Sequence, residues 1–151
     1  MKFYVLLLLF LTSCTPSSNL EGPFRVIDVI DGDTLKLNTS EKVRLSGINT
    51  PEKKECHYQE SKDQLTKLVL MKEVYLEEDY TNKGKYGRLL RYIHTKNQDI
   101  NKHLVLNGYA KVYDKYAYDT KKYKELKKLE HKARLQNIGV WACKETTQQK
   151  L

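Results

Sequence analysis

The stretch Phe24-Arg25-Val26-Ile27-Asp28-Val29-Ile30-Asp31-Gly32-Asp33-Thr34-Leu35-Lys36-Leu37 decides the fold. Phe24, Val26 and the Val29-Ile30 pair lead into Asp31-Gly32, and Leu35 and Leu37 alternate after it. An Asp-Gly pair between alternating apolar residues is a strong hairpin signal, because both turn positions tolerate positive φ. Working outward, residues 38–41 read as a second turn and Val43, Leu45 and Ile48 as a third strand. Pro51 breaks regular structure and opens a loop. Leu65, Leu68 and Val69 share one face of a helix predicted over 58–71. Val74, Tyr75 and Leu76 predict a strand, 81–87 a loop with two Gly and two Lys, and 88–94 a further strand. Ile100 and Leu104 predict a short helix over 99–107 that Gly108 stops. Residues 110–113 read as a short strand. The last helix is expected over 120–136, capped by Asp119. Tyr123, Leu126, Leu129 and Ala133 form its inner stripe, and lysines its outer face. Trp141 is expected to pack this helix onto the strands.

Strands this short, in consecutive antiparallel pairs, favour a small closed barrel. The predicted class is α+β, an OB-type five-stranded barrel with three α-helices. It forms one domain over 23–143, followed by a tail over 144–151. The sequence shows no internal repeat.

The N-terminus carries a separate signal. Lys2 is followed by the apolar run from Phe3 to Leu11 and then Thr12-Ser13-Cys14. That run is too short to span a bilayer, which needs roughly 20 apolar residues, and has the form of a signal peptide. Leu11-Thr12-Ser13-Cys14 resembles the lipobox of bacterial lipoproteins. The resemblance implies cleavage after residue 13, lipid on Cys14 and a polar tether over 14–22. An ordinary signal peptide or an N-terminal strand are the other readings. The formal net charge is +8 over 151 residues, and removing residues 1–13 takes away one Lys and no acid. A basic surface favours polyanions such as nucleic acid or anionic lipid. Two further cysteines, Cys56 and Cys143, are expected to form a disulfide in an oxidising compartment. The alternative is two free, buried thiols.

Three segments carry chemistry. Asp31-Gly32-Asp33-Thr34 puts two carboxylates on a tight turn, and hard oxygen donors suit Ca²⁺ or Mg²⁺. It is not an EF-hand, because the twelfth position from Asp31 is Lys42, where a bidentate Glu is needed. Arg44 sits on a strand among alternating apolar residues, where it must reach solvent or meet an anion. Asn49, Thr50 and Glu52 follow beside Pro51. Lys85-Tyr86-Gly87-Arg88 delivers a second Arg from a loop. Two guanidiniums, oxygen donors and a carboxylate are the parts needed for phosphodiester hydrolysis.

Asp31-Gly-Asp-Thr, Arg44 with Asn49-Thr-Pro-Glu52, Lys85-Tyr-Gly-Arg88 and Gly108-Tyr-Ala-Lys-Val112 together resemble the staphylococcal nuclease (thermonuclease) family, over essentially all of residues 24–141. The resemblance implies an OB-fold barrel, Ca²⁺ dependence, and cleavage of DNA and RNA, single strands preferred, to 3′-phosphate ends. It implies Asp33, Asn49 and the Thr50 carbonyl as Ca²⁺ ligands, with Asp31 a nearby carboxylate. Glu52 would hold the attacking water, and Arg44 and Arg88 would grip the phosphate. Asn49 departs from the family's usual Asp, which predicts weaker Ca²⁺ binding. Lys85, Tyr86, Tyr113 and Tyr116 are candidate nucleic-acid contacts, since aromatics between cations suit stacking on bases; packing of the core is the other role open to several of the 11 tyrosines, and the one expected of Tyr123. The four His have no metal-ligand spacing.

Three functions stay open at this level. The first is an exported, membrane-anchored nuclease acting as a monomer. The second is a non-catalytic barrel that binds nucleic acid or a protein partner, favoured by Asn49 alone. The third, a structural lipoprotein, leaves the two Arg without a role.

Overall fold

A computed structural model describes residues 20–143. Cys14, its lipobox and the 144–151 tail lie outside them. Strand β1 (Leu20–Asp31) turns at Gly32-Asp33 into β2 (Thr34–Leu37), and β3 (Lys42–Leu45) follows. β1 begins at Leu20, inside the expected tether. Its Leu20–Arg25 end pairs with β5 (Glu73–Lys83). β6 (Leu89–His94) completes a closed barrel in the order β1-β2-β3-β6-β5. Consecutive barrel strands pair antiparallel, as expected, whereas the non-consecutive β3 and β6 are parallel, with Arg44 opposite Leu90. A parallel pair needs a long crossover, here the chain from Ser46 to Arg88.

The barrel core follows the alternation, with one irregularity. Leu35, Leu37, Val43, Leu45, Val74, Leu76 and Ile93 are fully buried. In β1 the pairing shifts between Val26 and Asp28. This bulge turns both Val26 and Val29 inward and leaves Ile27 and Ile30 partly exposed. Ile48 does not extend β3. Gly47 turns the chain at φ 72, a left-handed value that favours glycine. Its hydrogens also face the Thr120 and Leu126 side chains, which a Cβ would meet at 2.7 and 2.9 Å. Strand β4 (Ile48–Asn49) therefore leaves the barrel and pairs with β7 (Lys111–Val112).

The helices pack outside. In α1 (Tyr58–Val69), Leu65 and Val69 are fully buried, one turn apart, and Ser61 Oγ donates to the Tyr109 carbonyl at 2.6 Å. It stops two residues before the expected end, because Met71 N donates to the Val26 carbonyl and Lys72 accepts from Val26 N. In α2 (Ile100–Leu106), Asp99 caps the helix by accepting from Lys102 N. Buried Asn101 accepts from Ile93 N and donates to the Ser46 carbonyl.

α3 (Tyr123–Leu135) starts later than expected, and Asp119 does not cap it. Residues 114–119 form a 3₁₀ turn instead. The reason is non-local. Lys121 N donates to the Asp79 carboxylate at 2.8 Å and Lys122 N to the Tyr92 hydroxyl at 3.1 Å, so barrel side chains take the donors that precede the helix. The strand β5 likewise runs to Lys83, through the first part of the expected 81–87 loop. Trp141 lies between Lys111 Nζ and the Arg134 guanidinium, 5.1 and 4.9 Å from its ring centre, and so joins α3 to β7 rather than to the barrel wall. Cys56 and Cys143 are joined by a disulfide across 87 residues. In the loop-entropy description a closure of that length contributes about 4.6 kcal/mol.

Lys122 is the hub of a half-buried charge network. Its Nζ donates to Glu77 Oε2 at 2.6 Å and Asp99 Oδ2 at 2.9 Å, and His94 Nε2 lies 2.8 Å from the same Glu77 oxygen. Burial alone would raise the Glu77 carboxyl, but Lys122 and His94 hold it below its ordinary 4.5. Burial alone would lower the Lys122 ammonium, but Glu77 and Asp99 hold it above its ordinary 10.5. A depressed carboxyl contributes stability above its unfolded value and loses it as pH falls through the folded one; a raised ammonium loses it as pH rises. The network is therefore complete between the two ordinary values. Lys122→Met is expected to lower unfolding free energy at pH 7 by about 1–2 kcal/mol, a figure between surface and buried pairs. In urea unfolding the loss should shrink as pH falls through the lowered Glu77 value; a loss that stays the same across the acid range would refute the network's role.

Candidate functional site at the open end of the barrel

The β1–β2 turn, the β3–β4 corner and the loop before β6 meet at one end of the barrel. Asp33 stands at their centre and is nearly buried. Its Oδ2 accepts from Thr50 N and from Thr50 Oγ1, both at 2.9 Å, and pairs with Arg44 Nη2 at 3.1 Å. Its Oδ1 accepts from Thr34 Oγ1 at 3.1 Å. One carboxylate thus binds the turn, the strand β3 and the loop after β4.

Gly32 makes this approach possible, for a reason other than the expected one. Its φ is not positive. A Cβ there would lie 2.8–2.9 Å from the Thr50 side chain. The residue is small so that Thr50 can reach Asp33. Asp31 Oδ1 accepts from Asp33 N at 3.1 Å and fixes the turn.

Arg44 is held from three sides. Besides Asp33, its Nη2 donates to Asn49 Oδ1 at 3.1 Å and its Nη1 to the Leu45 carbonyl at 2.9 Å. Arg88 arrives from the other side, its Nη1 donating to Thr34 Oγ1 at 3.3 Å. The two guanidiniums are thereby connected through Thr34 and Asp33. Forked donors arranged this way suit a tetrahedral oxyanion such as phosphate.

Burial pushes the Asp33 carboxyl above its ordinary value. Arg44 pulls it back, the Asp31 carboxylate adds to the rise, and the Thr50 donors oppose it. A buried carboxylate in this position gains from a cation beside it. Asp33, Asp31, the Asn49 amide oxygen and the Thr50 carbonyl are hard oxygen donors, the chemistry of Ca²⁺ rather than Zn²⁺. Among the described residues no group of three or more His, Cys, Asp or Glu is placed to hold a metal. The donor set fits a hard divalent cation, but with few charges.

The remaining expected residues lie around this centre. Glu52 follows Pro51 on the rim; its carboxylate is exposed and makes no hydrogen bond or ion pair to Asp33, Arg44 or Arg88 among the described residues. Lys85 and Tyr86 are exposed on the loop before Arg88. Tyr86 faces both cations, 5.7 Å from Lys85 Nζ and 5.7 Å from Arg88 Cζ. Tyr113 and Tyr116 form an edge-to-face pair at 5.5 Å, and Tyr113 N donates to the Gly47 carbonyl at 3.0 Å. No contact joins this pair to either Arg among the described residues.

Three residues at the site escaped the sequence reading as individual contributors. Thr34 links Asp33 to Arg88. Glu55 accepts from Glu52 N at 2.7 Å. Lys111 borders a cleft of about 330 Å³ beside Asn49 and Thr50, with Val140 and the disulfide also on its lining. Only Thr34 had a visible signal, as the hydroxyl that starts a strand next to Asp33.

Comparison with known proteins gives this arrangement its context. The model of a family described as staphylococcal nuclease homologue matches residues 42–143. A Haemophilus influenzae protein named an uncharacterized endonuclease is 36% identical over 140 residues, covering 90% of this chain and 75% of that protein. An Escherichia coli protein of the same designation is 33% identical over 147 residues, with 94% and 91% covered. The thermonuclease of Staphylococcus hyicus is 28% identical over 154 residues, with 91% and 90% covered. With a closed five-stranded barrel carrying two linked guanidiniums at its open end, the chain belongs to the staphylococcal nuclease family, and it is a nuclease.

Proposed function

We propose that this nuclease is a calcium-dependent, sugar-nonspecific enzyme that cleaves DNA and RNA, single strands preferred, to 3′-phosphate ends. The observation that supports the reading is the Asp33 carboxylate, which pairs with Arg44 and is linked through the Thr34 hydroxyl to Arg88. The two guanidiniums bind the phosphate and meet the charge that builds on its oxygens during attack. Glu52, on the rim loop, holds and orients the attacking water as base or positioner. Asp33, Asn49 and the Thr50 carbonyl would hold Ca²⁺, with Asp31 behind them. A Ca²⁺ bound there would supply positive charge beside the phosphate. Tyr86, Tyr113 and Tyr116 offer faces to unstacked bases, and Lys85 offers charge to the backbone; none of these contacts reads sequence or sugar. Cleavage of denatured DNA and of RNA is expected with Ca²⁺ and not with chelator. Arg44→Ala and Glu52→Ala should each reduce kcat by about 10²-fold or more. Cleavage that survives chelation, or full rate in either variant, overturns the corresponding role.

Asn49 makes metal affinity the weak point of the site. A neutral amide replaces a charge, and ligand charge tunes Ca²⁺ affinity over decades. Asn49→Asp is expected to lower the Ca²⁺ concentration for half-maximal activity by about tenfold or more. An unchanged Ca²⁺ titration would overturn this reading.

The N-terminal pattern supports a lipoprotein anchored outside the cytoplasm, where millimolar Ca²⁺ makes weak affinity tolerable. Among the described residues no helix is long and apolar enough to cross a membrane. A diacylglyceryl group on Cys14 would provide the two acyl chains that firm anchoring needs. Cys14→Ser should move the protein from the membrane fraction to the soluble one and abolish incorporation of labelled fatty acid; persistence of both would overturn the anchor.

A further inference from the structure

The loop that carries Glu52 is held by very little of its own. Glu55 N donates to the Glu52 carbonyl at 2.9 Å, Tyr58 N to the Glu55 carbonyl at 3.2 Å, and Glu52 N to Glu55 Oε2 at 2.7 Å. Among the described residues, every hydrogen bond of residues 51–57 stays within the loop or the first turn of α1. Residues 52–56 are exposed. Lys54 and His57 hold left-handed backbone at φ 75 and 67. For residues with a Cβ that conformation costs about 1 kcal/mol or more each. An exposed, strained loop with local bonds only relaxes unless something outside it holds it.

Two ties to the rest of the molecule bracket it. At its start, Thr50 is fixed on Asp33. At its end, Cys56 is bonded to Cys143. Cys143 follows a rigid base. Val140 N donates to the Gly108 carbonyl at 2.8 Å. Gly139 packs so closely on Gly108 that a Cβ would lie 2.1 Å from that carbonyl oxygen. Trp141 is clamped between Lys111 and Arg134, and Lys111 pairs with Asn49 across β4–β7. Both ends of the Glu52 loop are thus referred to one small sheet. Without the bond, the next tie along the chain is Ser61 on Tyr109, inside α1.

We propose that the Cys56–Cys143 disulfide is a positioning element for the reaction: it holds the Glu52 loop against the β4–β7 sheet, so that the Glu52 carboxylate is presented to the phosphate gripped by Arg44 and Arg88. The proposal rests on the reading of Glu52 as the group that holds water. The arginines and Asp33 lie outside the loop, so loss of the bond acts on turnover and leaves substrate binding.

A double-mutant cycle tests this on the full-length protein, well below its unfolding midpoint. Cys56→Ser/Cys143→Ser is expected to lower kcat on denatured DNA by about 10- to 100-fold, the scale of a small misplacement of a reacting group, with KM changed by less than about threefold. In a Glu52→Gln background the same pair of substitutions should cause no further fall. Wild-type protein treated with dithiothreitol, followed in parallel by activity and circular dichroism, should lose rate before it loses native signal; this arm holds even if the serine variant does not fold. An unchanged kcat, an equal fold-loss in both backgrounds, or a rate that falls only with the native signal overturns the positioning role. Full activity of Glu52→Gln alone overturns the Glu52 assignment instead, and the two failures are distinguishable.

Discussion

The Asp33 carboxylate is the interaction on which the functional end of the barrel depends. Four donors converge on it: Thr50 N, Thr50 Oγ1, Thr34 Oγ1 and the Arg44 guanidinium. They come from the start of β2, from β3 and from the chain leaving β4. Placing a nearly buried carboxylate there is unfavourable unless it is paired and hydrogen-bonded. Each donor that meets this need is thereby fixed, and with it the residue the site uses. Arg44 is oriented, Arg88 is oriented through Thr34, and Thr50 is anchored by its N–H and its hydroxyl. Removing Asp33 would release the Arg44 and Thr50 contacts it orders.

Much of this was legible in the residues themselves. The hairpin, the short α2 and the inner faces of α1 and α3 follow from local periodicity, and local periodicity is what a single chain displays. Asp33, Arg44, Asn49 and Thr50 were legible because a tight acidic turn and an Arg on an apolar strand each need an external partner, and they turn out to be partners of one another. What stayed hidden was non-local. The parallel pairing of β3 with β6 depends on a crossover whose register no local pattern encodes. The start of α3 depends on Asp79 and Tyr92, far back in the chain. Gly32 was read as a conformational residue, whereas it is small because Thr50, distant in sequence, packs on it. Glu55 carried no signal and Lys111 read only as one of the cations between tyrosines; the fold brings both to the rim of the cleft.

The site divides into a firm part and a loosely held part. Asp33, Thr34, Arg44 and Thr50 are tied to barrel strands by short polar contacts. Glu52 sits on an exposed stretch whose own contacts are local. A cradle for a phosphate wants rigidity, since preorganised donors need no rearrangement as charge develops. A loop at the rim must admit a polymer and release its pieces, which favours the low-stability end of the fold. The two requirements are met by different segments of one short stretch, separated by Pro51.

The parallel pairing of β3 with β6 has a consequence for when the molecule becomes dangerous. Arg44 lies on β3, and Arg88 immediately precedes β6. They become neighbours only when the barrel closes across a long-range strand pair, since Val43 and Leu89 meet after the whole crossover has been laid down. Contacts of such separation are entropically late in folding. A chain that is still extended or partly collapsed therefore carries both guanidiniums and has no place where they act together. On the reading of Arg44 and Arg88 as the phosphate-binding pair, that site is assembled only once the topology is complete.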